Sequence, residues 1–342
     1  LTFAGYNCIE GRCEHDLDVW EVPMKRGRIL FWAWIAVGGL ILAGWLAGCR
    51  RSPPPLDVRL SDLVVPTLKA TSRPPDHGTL RMAVAAVNSP RITLAYYSRL
   101  ADYLAAHLGM RGELVQGKTY AEINDLVREG NVTLAMVCTN PYVEGQEDFG
   151  MEALAVPEVN GEAVYYSYLI VPQDSPASSL EDLRGRTFAF TDPLSNSGRL
   201  VIVYQLALMG ETSESFFSRY IFTYSHEHAI KAVAEGLVDG AAVDSLIYDY
   251  FAAVEPERVA GTKVIARYGP FGSNPVVVHP NLDPELKTRI QQLLLNMHQD
   301  PEGQAILSAL RIDRFVLPDD AAYDSVREMR RRIRQAPGSV TP

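Results

Sequence analysis

Short apolar runs alternate with amphipathic segments over most of this chain, between about residue 79 and residue 335. Apolar runs bounded by turn residues are typical of buried strands, and apolar positions at three- and four-residue spacing are typical of helices. Repeated strand-helix units predict an α/β fold with mainly parallel sheets flanked by helices. The predicted strands are Leu80–Val87, Glu113–Gln116, Val132–Val137, Tyr165–Val171, Thr187–Phe190, Tyr220–Thr223, Ala241–Val243 and Thr262–Tyr268, and the predicted helices are Leu94–Leu108, Tyr120–Glu129, Arg199–Leu208, Glu227–Glu235 and Asp319–Arg334.

Two long predicted strands, Tyr165–Val171 and Thr262–Tyr268, bracket the second set of units. If both strands cross between lobes, residues 172–265 form an inserted lobe, and residues 79–171 and 266–342 together form the other. Ligands of open α/β sheets collect at the carboxyl ends of the strands. We therefore expect the binding site in the cleft between two lobes.

The N-terminal region predicts export from the cytoplasm. Basic residues follow Met24, and an apolar run then extends from Ile29 to Gly48. A positive segment, an apolar segment and small residues before a cleavage point are typical of a signal peptide. We therefore interpret residues 24–48 as the signal peptide and residues 1–23 as translation upstream of the true start.

The signal peptide is expected to end in a lipid anchor. Leu46-Ala-Gly-Cys49 resembles the lipobox of bacterial lipoproteins, which implies lipid attachment at Cys49. The alternative is an uncleaved N-terminal membrane anchor, because the apolar run is about long enough to span a bilayer. Residues 49–78 are rich in proline and are expected to form an extended tether. Both alternatives place the globular body outside the cytoplasmic membrane.

The composition argues against several classes of partner and cofactor. The formal net charge of −9 disfavours nucleic acid and anionic membrane surfaces as partners. Of the four cysteines, Cys8 and Cys13 precede Met24 and Cys49 would carry lipid, which leaves Cys138 alone. No disulfide framework or cysteine-rich metal site is then available. We expect a monomer without cofactor or metal, and a small anion remains an acceptable ligand.

One segment combines the features of an anion-binding turn. Phe188-Ala-Phe-Thr-Asp-Pro-Leu-Ser-Asn-Ser-Gly-Arg-Leu200 is an apolar strand, a proline turn and a helix start. The start of a helix presents free N–H groups and the positive end of its dipole, and Ser195, Asn196 and Ser197 add neutral donors. Thr191 lies at the strand end. The alternative is that the serines only cap the helix and the proline only forms the turn.

Other polar residues follow equivalent strand ends. Thr139 and Tyr142 come after the apolar run that ends at Val137, and Asn88-Ser89-Pro90-Arg91 follows the first strand. They could supply hydroxyl groups, an aromatic wall and another helix start. For these residues, turn formation and helix capping explain the pattern equally well.

A second cluster of candidates follows the strands at Tyr220–Thr223 and Ala241–Val243. His226 could donate to an oxyanion, and Asp244 could accept from a protonated oxygen or an amino group, or simply cap the next helix. The order Ser225-His-Glu-His228 is not that of a zinc peptidase. A serine hydrolase built on Ser197, His226 and Asp244 is a weaker alternative, because no Gly-x-Ser-x-Gly elbow is present. The basic run Arg330–Arg332 is interpreted as a solvated helix end rather than as an anion-binding patch.

These segments together resemble one family. The lipobox, Thr191-Asp-Pro-Leu-Ser-Asn-Ser-Gly198, Ser225-His-Glu227, Ala229–Asp239 and Tyr323-Asp324 are similar to those of the substrate-binding lipoproteins of phosphate, phosphite and phosphonate ABC importers. The resemblance covers nearly all of residues 79–330. It implies a type II periplasmic-binding-protein fold, a small phosphorus oxyanion as ligand and permease subunits in the membrane as partners.

The resemblance also implies site residues. In that family a Ser-Thr-Ser-Gly segment at a helix start holds the oxyanion, and the matching positions here are Ser195, Asn196, Ser197 and Gly198. The Ser-His-Glu segment implies contacts from His226 and Glu227. Tyr142 and Asp244 occupy places where the family often has an aromatic and an acidic contact. Some members of the family are extracytoplasmic sensors, so signalling is the alternative to transport.

Overall fold

The computed structural model describes residues 78–85 and 90–335. The predicted signal peptide, the lipidation site at Cys49, the tether and the Asn88-Ser89 turn therefore lie outside the described residues. Elements are numbered below in chain order.

The first sheet has six strands within this part of the chain, in the order β11-β4-β10-β3-β1-β2. The three strands at one end of this order, β3, β1 and β2, pair in parallel. Strands β10 and β11 pair antiparallel with their neighbours. Its members are β1 (Thr79–Ala85), β2 (Arg111–Gly117), β3 (Leu134–Met136), β4 (Glu152–Glu158), β10 (Val276–Val278) and β11 (Arg314–Val316).

The second sheet has five strands in the order β7-β6-β8-β5-β9. Strands β6, β7 and β8 are parallel, and β5 pairs antiparallel with both β8 and β9. Its members are β5 (Val164–Pro172), β6 (Thr187–Phe190), β7 (Arg219–Phe222), β8 (Gly240–Asp244) and β9 (Thr262–Gly272). Both sheets are thus mixed where the sequence predicted mainly parallel pairing, because strands outside the strand-helix units return along their neighbours.

Ten helices cover these sheets in the described ranges: α1 (Pro90–Leu108), α2 (Tyr120–Arg128), α3 (Thr139–Phe149), α4 (Val201–Leu208), α5 (Ser213–Phe216), α6 (His226–Ala234), α7 (Ser245–Val254), α8 (Pro284–Asn296), α9 (Pro301–Leu310) and α10 (Asp324–Gln335). Helices α1, α8 and α9 pack on one face of the first sheet and α2 and α3 on the other. Helices α4 and α5 cover one face of the second sheet, and α6 and α7 the other. We call the first sheet with its helices the first lobe, and the second sheet with its helices the second lobe.

Alternation along the strands explains why both faces of each sheet are covered. Phe188 and Phe190 point into the core beneath α4 and α5, and Ala189 between them points to the core beneath α6. Side chains of a strand alternate between faces, so a strand that is apolar at every position must be buried on both. β6 and β8 are buried in this way, which fixes their central position in the sheet.

Strands β5 and β9 form a long antiparallel ribbon that joins the lobes. They pair from Val164 with Gly272 to Pro172 with Thr262. At one end of the ribbon, Tyr165 and Phe271 are buried in a core that also contains Cys138 of the first lobe. This core continues to Leu200 at the start of α4, so one hydrophobic cluster spans the two lobes.

Helix α10 packs against both α3 and α4 and thereby contacts both lobes. Val326, Met329 and Ile333 supply its buried face, at the spacing of an amphipathic helix. Arg330 on this face is only 3% exposed. Its Nη1 donates to Asn140 Oδ1 at 2.7 Å and its Nη2 lies 3.4 Å from Glu147 Oε2. The interpretation of Arg330 as part of a solvated helix end was therefore wrong, whereas Arg331 and Arg332 are exposed.

Candidate functional site

The segment between β6 and α4 forms a buried turn that faces the first lobe. Ser195 has an extended backbone, and its Oγ accepts a hydrogen bond from the N–H of Gly198 at 3.0 Å. Asn196–Leu200 then forms a wide π-helical turn that runs directly into α4. Ser195, Asn196 and Ser197 are fully buried. We call Thr191 to Gly198 the cradle.

Gly198 is required by the close packing of this turn. A Cβ atom at this position would lie 1.8 Å from Thr191 Oγ1 and 2.9 Å from Ser195 Oγ. Rotation of the Thr191 side chain would not relieve the clash, since Thr191 Cβ itself would lie only 2.8 Å from the added atom. The glycine lets the backbone of the helix start approach the strand end.

Several polar atoms of the cradle are buried and have no hydrogen-bond partner among the described residues. They are Thr191 Oγ1, Asn196 Oδ1 and Ser197 Oγ. Buried polar atoms are paired in the great majority of cases, and leaving one unpaired costs about 1–3 kcal/mol. The hydroxyls of Thr191 and Ser197 can donate to an oxyanion together with the free N–H groups of a helix start, whereas Asn196 Oδ1 can only accept and so suits a protonated oxygen of the ligand.

The second lobe holds the cradle in place through the ribbon. Ser167 on β5 donates from its Oγ to the carbonyl oxygen of Ser197 at 2.7 Å. Asn196 donates from Nδ2 to the Tyr165 hydroxyl at 2.9 Å. The Asn196 side chain therefore bonds within the protein through its nitrogen, and this orientation leaves its oxygen unpaired.

The first lobe closes the other side of the cradle. Burial raises the pKa of Tyr120 well above its usual value, and a hydrogen bond with Ser195 acts in the opposite direction. Burial likewise raises the pKa of the Cys138 thiol to about 11, so the sulfur is a neutral thiol beside the N–H of Asn196. Thr139 Oγ1 lies 3.0 Å from the Gly272 carbonyl oxygen and 3.2 Å from Asn274 Oδ1.

His226 is a neutral donor at the start of α6. Its ring is buried, and its Nδ1 accepts a hydrogen bond from the N–H of Asp244 at 3.0 Å. Burial lowers the pKa of His226 to about 3. With Nδ1 acting as an acceptor, the single proton of the neutral ring is on Nε2.

Asp244 caps helix α7 and remains buried. One carboxylate oxygen accepts from the N–H of Leu246 at 2.8 Å, which is the capping role considered from the sequence. Burial raises the pKa of Asp244 to about 7, while bonds from Leu246 and Asn274 oppose the rise. Near neutral pH this carboxyl group can therefore carry a proton and donate a hydrogen bond.

Two predicted site residues are not brought into this group. The Tyr142 ring packs edge-on against Tyr323, with 4.8 Å between the ring centroids, and its hydroxyl accepts from Gln146 at 3.3 Å. Glu227 forms an ion pair with Arg258. These contacts engage both side chains with residues outside the cradle. Thr139, Thr191, Ser195, Asn196, Ser197, Gly198, His226 and Asp244 are brought together.

The structure adds residues that the sequence did not reveal: Tyr120, Cys138, Tyr165, Ser167 and Asn274 surround the cradle. Tyr120 carried a usable signal, because it starts a helix just after the carboxyl end of β2. Tyr165 and Ser167 carried none, since they belong to an apolar strand and reach the site only through the crossing of the ribbon.

Direct contacts between the lobes border the cradle. Asp192 Oδ2 of the second lobe accepts from the N–H of Tyr120, the first residue of α2, at 3.1 Å. Asn140 Nδ2 of the first lobe donates to the Leu194 carbonyl oxygen at 2.8 Å. With these contacts made and the cradle buried, the structure represents the cleft in a closed state.

The described residues offer no support for metal chemistry or for catalysis by a triad. They contain no group of three or more His, Cys, Asp or Glu side chains that could hold a metal ion. A serine hydrolase needs a carboxylate that accepts from Nδ1–H of the histidine. Here Nδ1 of His226 accepts instead, and the Asp244 carboxylate caps α7.

None of the described helices has the length and apolar composition to span a membrane.

Comparison with known families agrees with the geometry. The family model described as "ABC transporter, phosphonate, periplasmic substrate-binding protein" matches residues 82–323 of the chain. The phosphonates-binding periplasmic protein of Escherichia coli (strain K12) is 32% identical over 227 residues, which cover 65% of this chain and 67% of that protein. The phosphate-import protein PhnD of Mycolicibacterium smegmatis is 28% identical over 267 residues, covering 72% of this chain and 83% of that protein.

A solved structure supports the fold. The binding protein component of an ABC phosphonate transporter from Pseudomonas aeruginosa superposes with a TM-score of 0.70 at 24% identity, covering 74% of this chain and 86% of that one. The expected two-lobed α/β fold of type II periplasmic binding proteins is confirmed by this likeness.

Proposed function

This chain belongs to the family of periplasmic substrate-binding proteins of phosphonate ABC transporters, and from that premise we propose that its cradle captures a phosphorus oxyanion. The ligand class is phosphonate, phosphite or phosphate. The family consists of binding proteins rather than enzymes, so the hydrolase alternative is set aside. The protein works outside the cytoplasmic membrane.

The observation that carries this assignment is the unpaired Ser197 hydroxyl at the start of a helix. Its oxygen is fully buried, and no described group satisfies it. A phosphonate oxygen placed there would accept from Ser197 Oγ–H and from free N–H groups of the turn. The Nε2–H of His226 supplies a further donor from the same lobe.

Neutral donors suit an anion in this acidic protein. Cationic side chains buried beside the cradle would have to lose their own hydration, whereas hydroxyl and amide groups avoid most of that cost. Each charge-assisted hydrogen bond contributes about 1.5–3 kcal/mol. Four or five such bonds, less the free energy needed to close the cleft, give micromolar or tighter binding.

The Asp244 carboxyl group can distinguish ligands by their protonation state. Its carboxyl group, with a pKa raised by burial to about 7, can donate to an ionised oxygen when protonated and accept from a protonated oxygen when ionised. Sulfate is fully ionised near neutral pH and offers no proton to an ionised Asp244. Phosphorus anions, which exchange a proton in this range, are therefore favoured.

We further propose that the closed cleft is the form that permease subunits recognise. Closure brings Asp192 and Tyr120 of opposite lobes together and thereby creates a surface that the open form lacks. The protein is proposed to act as a monomer that Cys49 anchors to the membrane through lipid. That anchor would keep the binding protein close to the permease.

Isothermal titration of the purified protein with phosphate, phosphite, methylphosphonate, 2-aminoethylphosphonate and sulfate tests the assignment. We expect at least one phosphorus anion to bind with a micromolar dissociation constant and sulfate to bind at least tenfold more weakly. Absence of binding by every phosphorus anion, from a protein shown by circular dichroism to be folded, would refute it.

A further inference from the structure

A cavity of about 220 Å³ lies between the carboxyl edge of the first sheet and helix α7. Its lining includes aliphatic side chains, among them Val84, Met136, Val159, Leu246, Ile247 and Leu310, together with three tyrosines and several polar or charged residues. The cradle residues that would hold an oxyanion do not line this cavity. Its size and its apolar wall therefore need a separate explanation.

Two residues of the cavity wall bond to candidate site residues beside the cradle. Asp244 and Asn274 line the cavity. Asn274 also meets Thr139 beside the cradle, and Asp244 donates its backbone N–H to His226. A group attached to an oxyanion in the cradle would reach the cavity by passing these two side chains.

The electrostatics place Asp244 close to both regions. On the cradle side, burial, then Cys138 and then Asp244 raise the pKa of Tyr165. On the cavity side, burial and then Asp244 raise the pKa of Tyr97 to about 12. A single carboxyl group that acts on both tyrosines lies at the boundary between the cradle and the cavity.

The outer end of the cavity is polar and open to solvent. Asp249 and Arg311 at this end are exposed. Burial, and then a hydrogen bond with Tyr96, raise the pKa of Tyr250 to about 12. The two tyrosines therefore pair at the cavity wall. The apolar part thus lies inside, between this rim and Asp244.

We propose that the cavity receives the organic substituent of a phosphonate, and that the protein prefers phosphonates with a bulky apolar substituent to those with a methyl or aminoethyl group. This inference rests on the proposed function of the cradle. An apolar cavity of about 150 Å³ is sufficient to bind benzene, so the volume here accommodates a benzyl group. A methyl group would leave most of the apolar wall without contacts.

Titration with methylphosphonate, 2-aminoethylphosphonate and benzylphosphonate tests the preference. Burying a phenyl ring removes apolar surface from water, and we expect benzylphosphonate to bind on the order of tenfold more tightly than methylphosphonate. A second test fills the cavity. Ala309 on α9 lines it, and Ala309→Phe should reduce benzylphosphonate affinity at least tenfold while methylphosphonate affinity stays within twofold.

Ala305→Phe is the matched control, because Ala305 is exposed on the same helix and should alter neither affinity. Methylphosphonate binding also reports that each variant is folded. Equal or weaker binding of benzylphosphonate by the wild type, or an equal loss of both ligands in Ala309→Phe, would overturn the inference while leaving the oxyanion cradle intact. Failure of all three phosphonates, with phosphate or phosphite still bound, would overturn this inference alone, and failure of every phosphorus anion would overturn the proposed function as well.

Discussion

Ser197 combines complete burial with an unpaired hydroxyl, and that combination distinguishes it from Ser195, the other serine of the turn. Ser195 already caps the turn by accepting from Gly198. The backbone carbonyl of Ser197 accepts from Ser167, whereas its hydroxyl has no partner among the described residues. The same residue type at two neighbouring positions therefore serves structure at one and is available for a ligand at the other.

Ser197→Ala is expected to weaken phosphorus-anion binding by about 1–3 kcal/mol, because an anion oxygen would lose its partner. Stability should hardly change, since the hydroxyl has no partner to lose. Titration calorimetry and urea unfolding measure the two quantities. Ser308→Ala, at an exposed position, is the control. Unchanged affinity in Ser197→Ala would remove this residue from the site.

Asp244→Asn is expected to change how stability depends on pH. The folded protein holds a proton on Asp244 up to a pKa of about 7, whereas the unfolded chain releases it near 3.8. Between these values the folded state binds more protons, so this group makes stability fall as pH rises. The free energy of unfolding of Asp244→Asn, relative to wild type, should therefore increase between pH 4 and pH 7, by at most about 1.4 kcal/mol per pH unit.

Asparagine also caps helices well, so the substitution keeps the start of α7. Urea unfolding of both proteins at four or more pH values gives the comparison. Parallel stability curves for the two proteins would show that Asp244 titrates near its ordinary pKa.

At this scale the sequence indicated residue types and strand ends but not side-chain directions. The cradle and His226 were predictable because a strand end followed by hydroxyl and amide residues and a helix start has few structural solutions. Tyr142 and Glu227 follow the same strand ends, yet the rotation of each helix about its own axis directs them to Tyr323 and Arg258. That rotation depends on packing against neighbours distant in sequence.

Among the elements, α3 and α10 show what a local pattern leaves undetermined. The sequence predicted a turn or a helix cap at Thr139-Asn-Pro-Tyr142. In the structure α3 begins at Thr139. Proline is tolerated there because the first helical turn needs no N–H donor. Helix α10 was predicted with its basic end in water. Its contacts with α3 and α4 instead bury Arg330, and the helical spacing of Val326, Met329 and Ile333 places Arg330 on this apolar face, a local signal that the sequence interpretation did not use.

Arg330→Ala is expected to lower the free energy of unfolding by about 1.5–3 kcal/mol, because charged hydrogen bonds to Asn140 and Glu147 would be lost from a buried position. Arg331→Ala provides the comparison on the same helix. Its pairing with Glu328 is exposed to solvent, which screens the attraction, so its loss should change stability far less. Equal losses in the two variants, measured by urea unfolding, would mean that the burial of Arg330 has no energetic consequence.

At the largest scale, the described part of the chain is organised as two lobes that meet across the cradle. The alternation of strands and helices was sufficient to predict an α/β fold with a cleft, since such units have few ways to cover both faces of a sheet. The antiparallel strands were not predictable from that alternation. They depend on where the chain returns, which is a property of the complete fold.

Asp192→Asn is expected to weaken the binding of every phosphorus anion by a similar factor, on the order of tenfold, because an amide nitrogen in place of Oδ2 cannot accept from the N–H of Tyr120 across the lobes, while Oδ1 keeps its bond from the N–H of Leu194 within the cradle. The ranking of ligands should stay the same, which separates this effect from changes in the cavity. Titration with several phosphonates and small-angle scattering of the free and ligand-bound variant measure both consequences. A change confined to one ligand would contradict a role in closure.

The Asp192 contact also makes the opening of the cleft measurable at a single backbone amide. While the lobes are together, the amide proton of Tyr120 is held by a carboxylate from across the cleft; each separation would release it to solvent. Helix α2 begins at this residue and so offers no intrahelical acceptor to replace the carboxylate. Deuterium uptake at one backbone position would therefore record how often an empty binding protein opens, and its slowing would record how long a captured ligand keeps the protein shut.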